Sequence, residues 1–290
     1  MGVIWGVPYL FIKIAVEHVP PASLVFLRTG LGALLLVPVA AARGQLRPLL
    51  AAWKPVVAYT AVEVAIPWLL LNHAEQRLSS SLTGLLLAAI PLVSAVLAWA
   101  AKTDRLDWRR ALGLAVGIGG VAALVGLDLG RGDLVALLQM AVVAVGYALG
   151  PFILARYLSD LPALGVVAAS LLLTAAVYAG PAAVQLPRLA PLSSSDLTAV
   201  IGSVAVLSVV CTAVAFLTFF KLIEEVGPTR ATVITYLNPA VAVTLGVIFL
   251  GEPFTVGIVV GFVLVLLGSA LATRRSRPVA VPEAVGVGPA

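Results

Sequence analysis

Apolar residues run along this chain in long stretches, and the polar positions gather in short clusters between them. Breaking the chain at its charged and Pro/Gly-rich stretches leaves ten windows, approximately 3–19, 23–41, 55–72, 82–101, 110–127, 133–153, 163–180, 197–219, 229–250 and 255–273. Each approaches the roughly 20 mostly apolar residues that carry a helix across a bilayer. A backbone in lipid must satisfy its own polar groups, so the windows are expected to be helices. Membrane strands would alternate polar and apolar residues over segments of about ten, and these windows do not.

Composition agrees. Of 290 residues, 61% are apolar and 11% charged, against roughly 25% charged in soluble domains. A lipid bilayer is the partner this implies. The net charge of +5 is then a matter of placement, not a sign of nucleic-acid binding. With the N-terminus inside, the inner loops hold Arg43, Arg47, Lys54, Lys102, Arg105, Arg109, Arg110, Arg156, Lys221, Arg230, Arg274, Arg275 and Arg277. The outer loops hold only Arg77, Arg131 and Arg188. That bias predicts a multi-pass protein of the cell membrane with both ends in the cytoplasm. The first window lacks the basic start of a signal peptide, and Lys13 interrupts it. The chain begins almost inside this window, which leaves open a start codon upstream.

An internal repeat is visible. Residues 65–124 lie on 213–272 with a constant offset and no gap, which sets Pro91 on Pro239, Gly113 on Gly261, Gly120 on Gly268 and Asp104 on Glu252. A slightly smaller offset sets Trp5 on Tyr147 and Pro20 on Pro162. Five windows per half is an odd number, so the second half must enter the membrane inverted. The expected fold is all-α and integral to the membrane, with ten transmembrane helices as two inverted five-helix repeats. The first repeat would cover 1–128 and the second 129–273, followed by a disordered cytoplasmic tail over 274–290. Inverted repeats with helices interrupted at matching places mark secondary transporters, and Pro91 and Pro239 are such a pair.

Three stretches carry a resemblance. "EEVGPTRATVITYLNPAVAVTLGVIFLGEPFTVGIVVGFVLVLLGSALA" resembles the second EamA domain of the drug/metabolite transporter superfamily. "AEQRLSSSLTGLLLAAIPLVSAVLAW" resembles the matching part of the first, and "WGVPYLFIKIAVEHVPPASLVFLR" its opening hairpin. The resemblance implies ten helices in two inverted repeats, and export or exchange of small metabolites. Glu252-Pro253 keeps the acidic turn that the resemblance leads one to expect, whereas the first half has Asp104-Arg105 there. Glu252, Pro253 and Asp104 are accordingly read as structural turns. An acid at a helix C-terminus opposes the dipole, so Glu252 should have a basic or backbone-donor partner.

Charge within a bilayer costs about 2.5–3.5 kcal/mol at mid-depth, which makes every intramembrane charge a candidate. Lys13 and Glu17 are i,i+4 neighbours and could pair; Lys13 and Arg28 could instead form a positive outer gate or hold a substrate carboxylate. Arg28 could also snorkel to the outer interface. Glu63 lies eight residues into its window, about 12 Å deep. It is either a proton-coupling acid or one that ties helices together. Trp5, Tyr9, Trp68, Asn72, Gln139, Tyr147, Tyr236 and Asn238 complete a cavity suited to an amino-acid-like or amphipathic solute, with Trp68 and Tyr9 alternatively interfacial anchors. His73 and Glu75 are expected in a wet outer loop.

The function expected is a secondary transporter of a small metabolite, exporting by alternating access and coupled to protons or working by exchange. The alternatives are a channel, a non-transporting membrane subunit, or an intramembrane enzyme. The last has little support: two histidines, one cysteine and no G-x-S-x-G offer no catalytic set. No Walker-type phosphate loop points to ATP, and no cofactor or metal ligand set is expected. Substrate identity and oligomeric state are not legible.

Overall fold

The computed structural model describes residues 1–102, 107–125, 133–188, 192–226 and 237–273; Asp104, Tyr236 and the 274–290 tail lie outside them. The described residues are helical, with no strand among them. Among the described residues, seven helices are long and apolar enough to cross a membrane: α2 (Pro21–Ala42), α3 (Trp53–Glu75), α4 (Ser80–Ala100), α5 (Trp108–Val125), α6 (Leu134–Tyr157), α7 (Ala163–Gln185) and α8 (Ser194–Ile223). Three shorter apolar helices, α1 (Gly2–Val16), α9 (Asn238–Leu250) and α10 (Val256–Ala272), occupy the remaining windows. Apolar side chains such as Leu34, Ile118, Val177, Ile248 and Phe249 are exposed on the outside of the bundle, as a lipid-facing surface requires.

Local chemistry sets where helices start and stop. Pro21 and Pro239 open α2 and α9, where a missing N–H costs nothing. Ser79, Ser193 and Thr255 cap α4, α8 and α10 by accepting from Leu82, Asp196 and Ile258 N–H. Gly251 ends α9 in the left-handed region at φ 64°, which glycine enters without strain.

Four helices depart from regular geometry. α1 is interrupted before Pro8, and α4 between Leu87 and Ile90, one residue before Pro91. The break frees the Ala88 carbonyl, which accepts from the Ser269 hydroxyl of α10 at 3.2 Å. α3 and α8 each contain π turns, over Thr60–Ala65 and Val206–Val214. Such turns redirect side chains and concentrate at functional sites.

The helices pack in a definite pattern. α2 lies along α7, α5 along α10, and the first half of α4 against α9. α1 packs on α8 and α9, while α6 packs on α3 and α4. The π turn of α8 rests on α2, and that of α3 on α7. α5 and α10 touch almost backbone to backbone: a Cβ at Gly120 would stand 2.7 Å from Val265 N, the close approach that small residues permit in lipid. The largest core joins Ile12, Leu71, Leu78, Leu86, Met140 and Leu207, with Tyr9 and Tyr147 packed against it.

Candidate functional site

The site is built around Arg28, a cation on α2 that is only 8% exposed. Its guanidinium carbon lies 3.8 Å from the centroid of the Trp68 ring, a cation–π contact of about 0.5–2 kcal/mol. Its Nε donates to Thr212 Oγ1 at 3.3 Å. The Thr212 hydroxyl in turn donates to the Leu207 carbonyl five residues back, at 2.8 Å. The π turn makes that bond available and so leaves the hydroxyl oxygen to accept from Arg28. The two terminal nitrogens of Arg28 have no hydrogen-bond partner among the described residues. This is not a snorkelling arginine: stacking and the Thr212 bond hold the group inside the bundle.

Aromatic groups surround it. Tyr147, Tyr9 and Cys211 lie within electrostatic range of the guanidinium. α1, α2, α3, α6 and α8 therefore all contribute. The arrangement offers paired N–H donors beside aromatic faces, which is the chemistry of binding a carboxylate attached to a small apolar body.

Other expected residues fall elsewhere. Trp5 packs on Phe216 and Phe219, with ring centroids 5.9 and 4.7 Å away. Asn72, buried at 3% exposure, donates to the Pro21 carbonyl at 3.4 Å and so anchors the start of α2. Gln139 and Asn238 are half-buried on α6 and at the start of α9. Glu63 sits on the π turn of α3. Its Oε2 is buried without a partner, against Gly150 of α6, where any Cβ would collide with the carboxyl. Tyr147 is within electrostatic range of both Glu63 and Arg28.

Lys13 does not turn to Glu17. Its Nζ donates to the carbonyls of Glu75 and Leu78 at 2.8 and 3.1 Å, a cation on the C-terminal end of α3 where the dipole favours it. Glu252 grips the other side of the same connection. Its two carboxylate oxygens accept from Ser80 N and Ser81 N at 2.7 and 2.9 Å, at the N-terminus of α4. Its own N–H donates to the Gly246 carbonyl at 3.1 Å.

Glu75 corrects the sequence reading. Expected in a wet loop, it is fully buried, and neither carboxyl oxygen has a hydrogen-bond partner. Lys13, Glu252, Arg28 and Tyr9 all lie within its electrostatic range. Thr212 was also missed. A threonine in an apolar run carries no mark of a partner 184 residues away.

A model of the EamA-like transporter family matches the chain twice, over residues 1–126 and 134–274. The chain belongs to the EamA-like transporter family. It is 28% identical over 303 residues to the uncharacterized inner membrane transporter YedA of Escherichia coli K12, covering 97% of this chain and 92% of that one. It is 24% identical to the uncharacterized transporter YvbV of Bacillus subtilis, covering 95% and 90%. An uncharacterized transporter of Archaeoglobus fulgidus is also 24% identical, covering 93% and 95%. A solved crystal structure shares the fold at a TM-score of 0.65 and 22% identity, over 94% of this chain and 95% of that one. This EamA-family chain is thus a multi-pass membrane transporter of the cell membrane.

Proposed function

We propose that this EamA-family chain is a secondary transporter that moves a small amphipathic carboxylate, amino-acid-like molecules included, by alternating access between two inverted five-helix halves. One observation carries the substrate class: a buried arginine, fixed by Trp68 and Thr212, whose terminal nitrogens have no partner among the described residues. A buried charge left without a full set of partners is costly, and a substrate carboxylate would supply them. Tyr9, Trp68 and Tyr147 would face its apolar body.

Several observations support the inverted halves. The family model matches once in each half. An offset of 148 carries the α3 π turn at 60–65 onto 208–213, inside that of α8. Packing keeps its pattern when the halves are exchanged: α1 on α8 becomes α6 on α3, and α1 on α9 becomes α6 on α4. The Arg28–Thr212 bond has a counterpart in Ser170, which bonds Thr60 across α7 and α3 at 2.9 Å. The prolines at the starts of the second half of α4 and of α9 also correspond. On this reading the outer ends of α1, α3, α4 and α9 meet in a closed outer seal. Lys13 and Glu252 hold the α3–α4 connection there. The two carboxyls on α3, Glu63 and Glu75, are the candidates for proton coupling, and both chain ends face the cytoplasm.

The test is counterflow in proteoliposomes loaded with phenylacetate, an aromatic carboxylate. Labelled phenylacetate should accumulate transiently with the parent chain and not with Arg28→Gln. Equal accumulation in both would remove Arg28 from the site. Flux that neither saturates nor responds to the opposite side would favour a channel.

A further inference from the structure

We infer that Glu75 is the proton site linked to the substrate, so that a proton on Glu75 and a carboxylate on Arg28 favour each other. The inference rests on the proposed anion site and adds the group that answers it.

Several elements place charged and polar groups around Glu75 and Arg28. α1 contributes Tyr9 and Lys13, α2 contributes Arg28, and the α9–α10 turn contributes Glu252. α4 brings the buried Ser80 and Ser81, whose hydroxyls have no partner. α6 brings Tyr147, in range of Tyr9 and Arg28, and α8 brings Cys211 beside Arg28. His73 and Arg77, its neighbours along the chain, are exposed.

Two of these charges already have direct partners. Lys13 is bonded to the Glu75 and Leu78 carbonyls, and Glu252 to the Ser80 and Ser81 N–H groups. The remaining pair is Arg28 and Glu75: a cation with two terminal nitrogens lacking partners, and an acid with two such oxygens. With Glu75 ionised, the four groups sum to zero charge, and an arriving carboxylate would leave one negative charge uncompensated in a buried place. With Glu75 protonated, the same carboxylate restores neutrality. Buried sites disfavour uncompensated charge, so the two events are coupled. The coupling is reciprocal: the anion promotes proton uptake, and the proton promotes anion binding. The step balances simply. A proton from water forms an O–H bond on the Glu75 carboxyl as the anion docks on Arg28. The loaded centre carries the same net charge as the empty, ionised one.

Glu63 is the competing group. It sits on the π turn of α3, against Gly150 and twelve residues before Glu75, so its substitution separates the two.

The experiment measures phenylacetate affinity of the purified full chain from about pH 6 to about pH 9, where phenylacetate stays ionised. The parent should weaken as pH rises, approaching about tenfold per pH unit once Glu75 ionises. Glu75→Gln should bind with a flat profile at the tight, low-pH level. Glu63→Gln should keep the parental slope with pH. Titration of the parent in buffers of different ionisation enthalpy should show net proton uptake on binding, which needs no variant to fold. A flat parental profile, no proton uptake, or a slope kept by Glu75→Gln and lost in Glu63→Gln would overturn the inference while leaving the anion site standing. Failure of the parent to bind phenylacetate at any pH would overturn both.

Discussion

Glu252→Gln tests how the α3–α4 connection is held. The parental carboxylate accepts two backbone N–H bonds at 2.7 and 2.9 Å, from Ser80 and Ser81, two residues that are fully buried. It also puts a negative charge on the positive end of α4. The amide keeps one acceptor oxygen but turns an NH2 group toward the second backbone N–H. One hydrogen bond to a charged group is lost and one buried donor is left without a partner, a loss of about 1.5–3 kcal/mol. Glu252→Ala removes both bonds and should cost about 3–6 kcal/mol. The assay is thermal unfolding of the purified chain in one fixed detergent, followed by far-ultraviolet circular dichroism. Using the roughly 2–4 °C per kcal/mol typical of large domains, Glu252→Gln should lower Tm by about 3–12 °C, and Glu252→Ala by more. If both melt within about 1 °C of the parent, Glu252 does not hold the α3–α4 connection. Its place in the outer seal would then be wrong.

Gly150→Ala places a methyl group where the Glu63 carboxyl lies. It should destabilise by about 1–3 kcal/mol, whereas Gly119→Ala, with open space around it, should be neutral or slightly stabilising in the same melt. Reporter fusions after Ala51 should read cytoplasmic and a fusion at Leu192 external; a cytoplasmic Leu192 would overturn the inverted pairing.

Much of the fold was legible because lipid leaves the backbone few choices. An apolar stretch of helical length has to be a helix, so the all-helical character and the seven long apolar helices α2 to α8 follow from the pattern. As an acid at a helix C-terminus, Glu252 was also expected to have a basic or backbone-donor partner, and the structure supplies Ser80 and Ser81 N–H. What stayed hidden depends on contacts distant in sequence. "NHAEQRLSSS" reads as a wet loop, yet Glu75 is fully buried, with Lys13 of α1 bonded to its carbonyl. The π turns of α3 and α8 have no composition of their own. They need neighbours such as Tyr178, which donates to the Ala65 carbonyl at 2.9 Å. Lys13 and Glu17 were close enough in sequence to suggest a pair, but the ammonium found two carbonyls at the end of α3 instead. Pro91 marked the interruption of α4. Nothing nearby revealed that Ser269 satisfies the freed carbonyl.

Arg28 is proposed to receive a carboxylate. That role is tested most directly by comparing phenylacetate with its neutral isostere phenylacetamide on the unmodified chain, by equilibrium binding at fixed pH. Two charge-assisted bonds of about 1.5–3 kcal/mol each, partly retained by the amide, place the expected preference for the acid at about 100-fold or more. Arg28→Gln should erase that preference while melting close to the parent. Equal affinity for acid and amide on the unmodified chain would contradict the account.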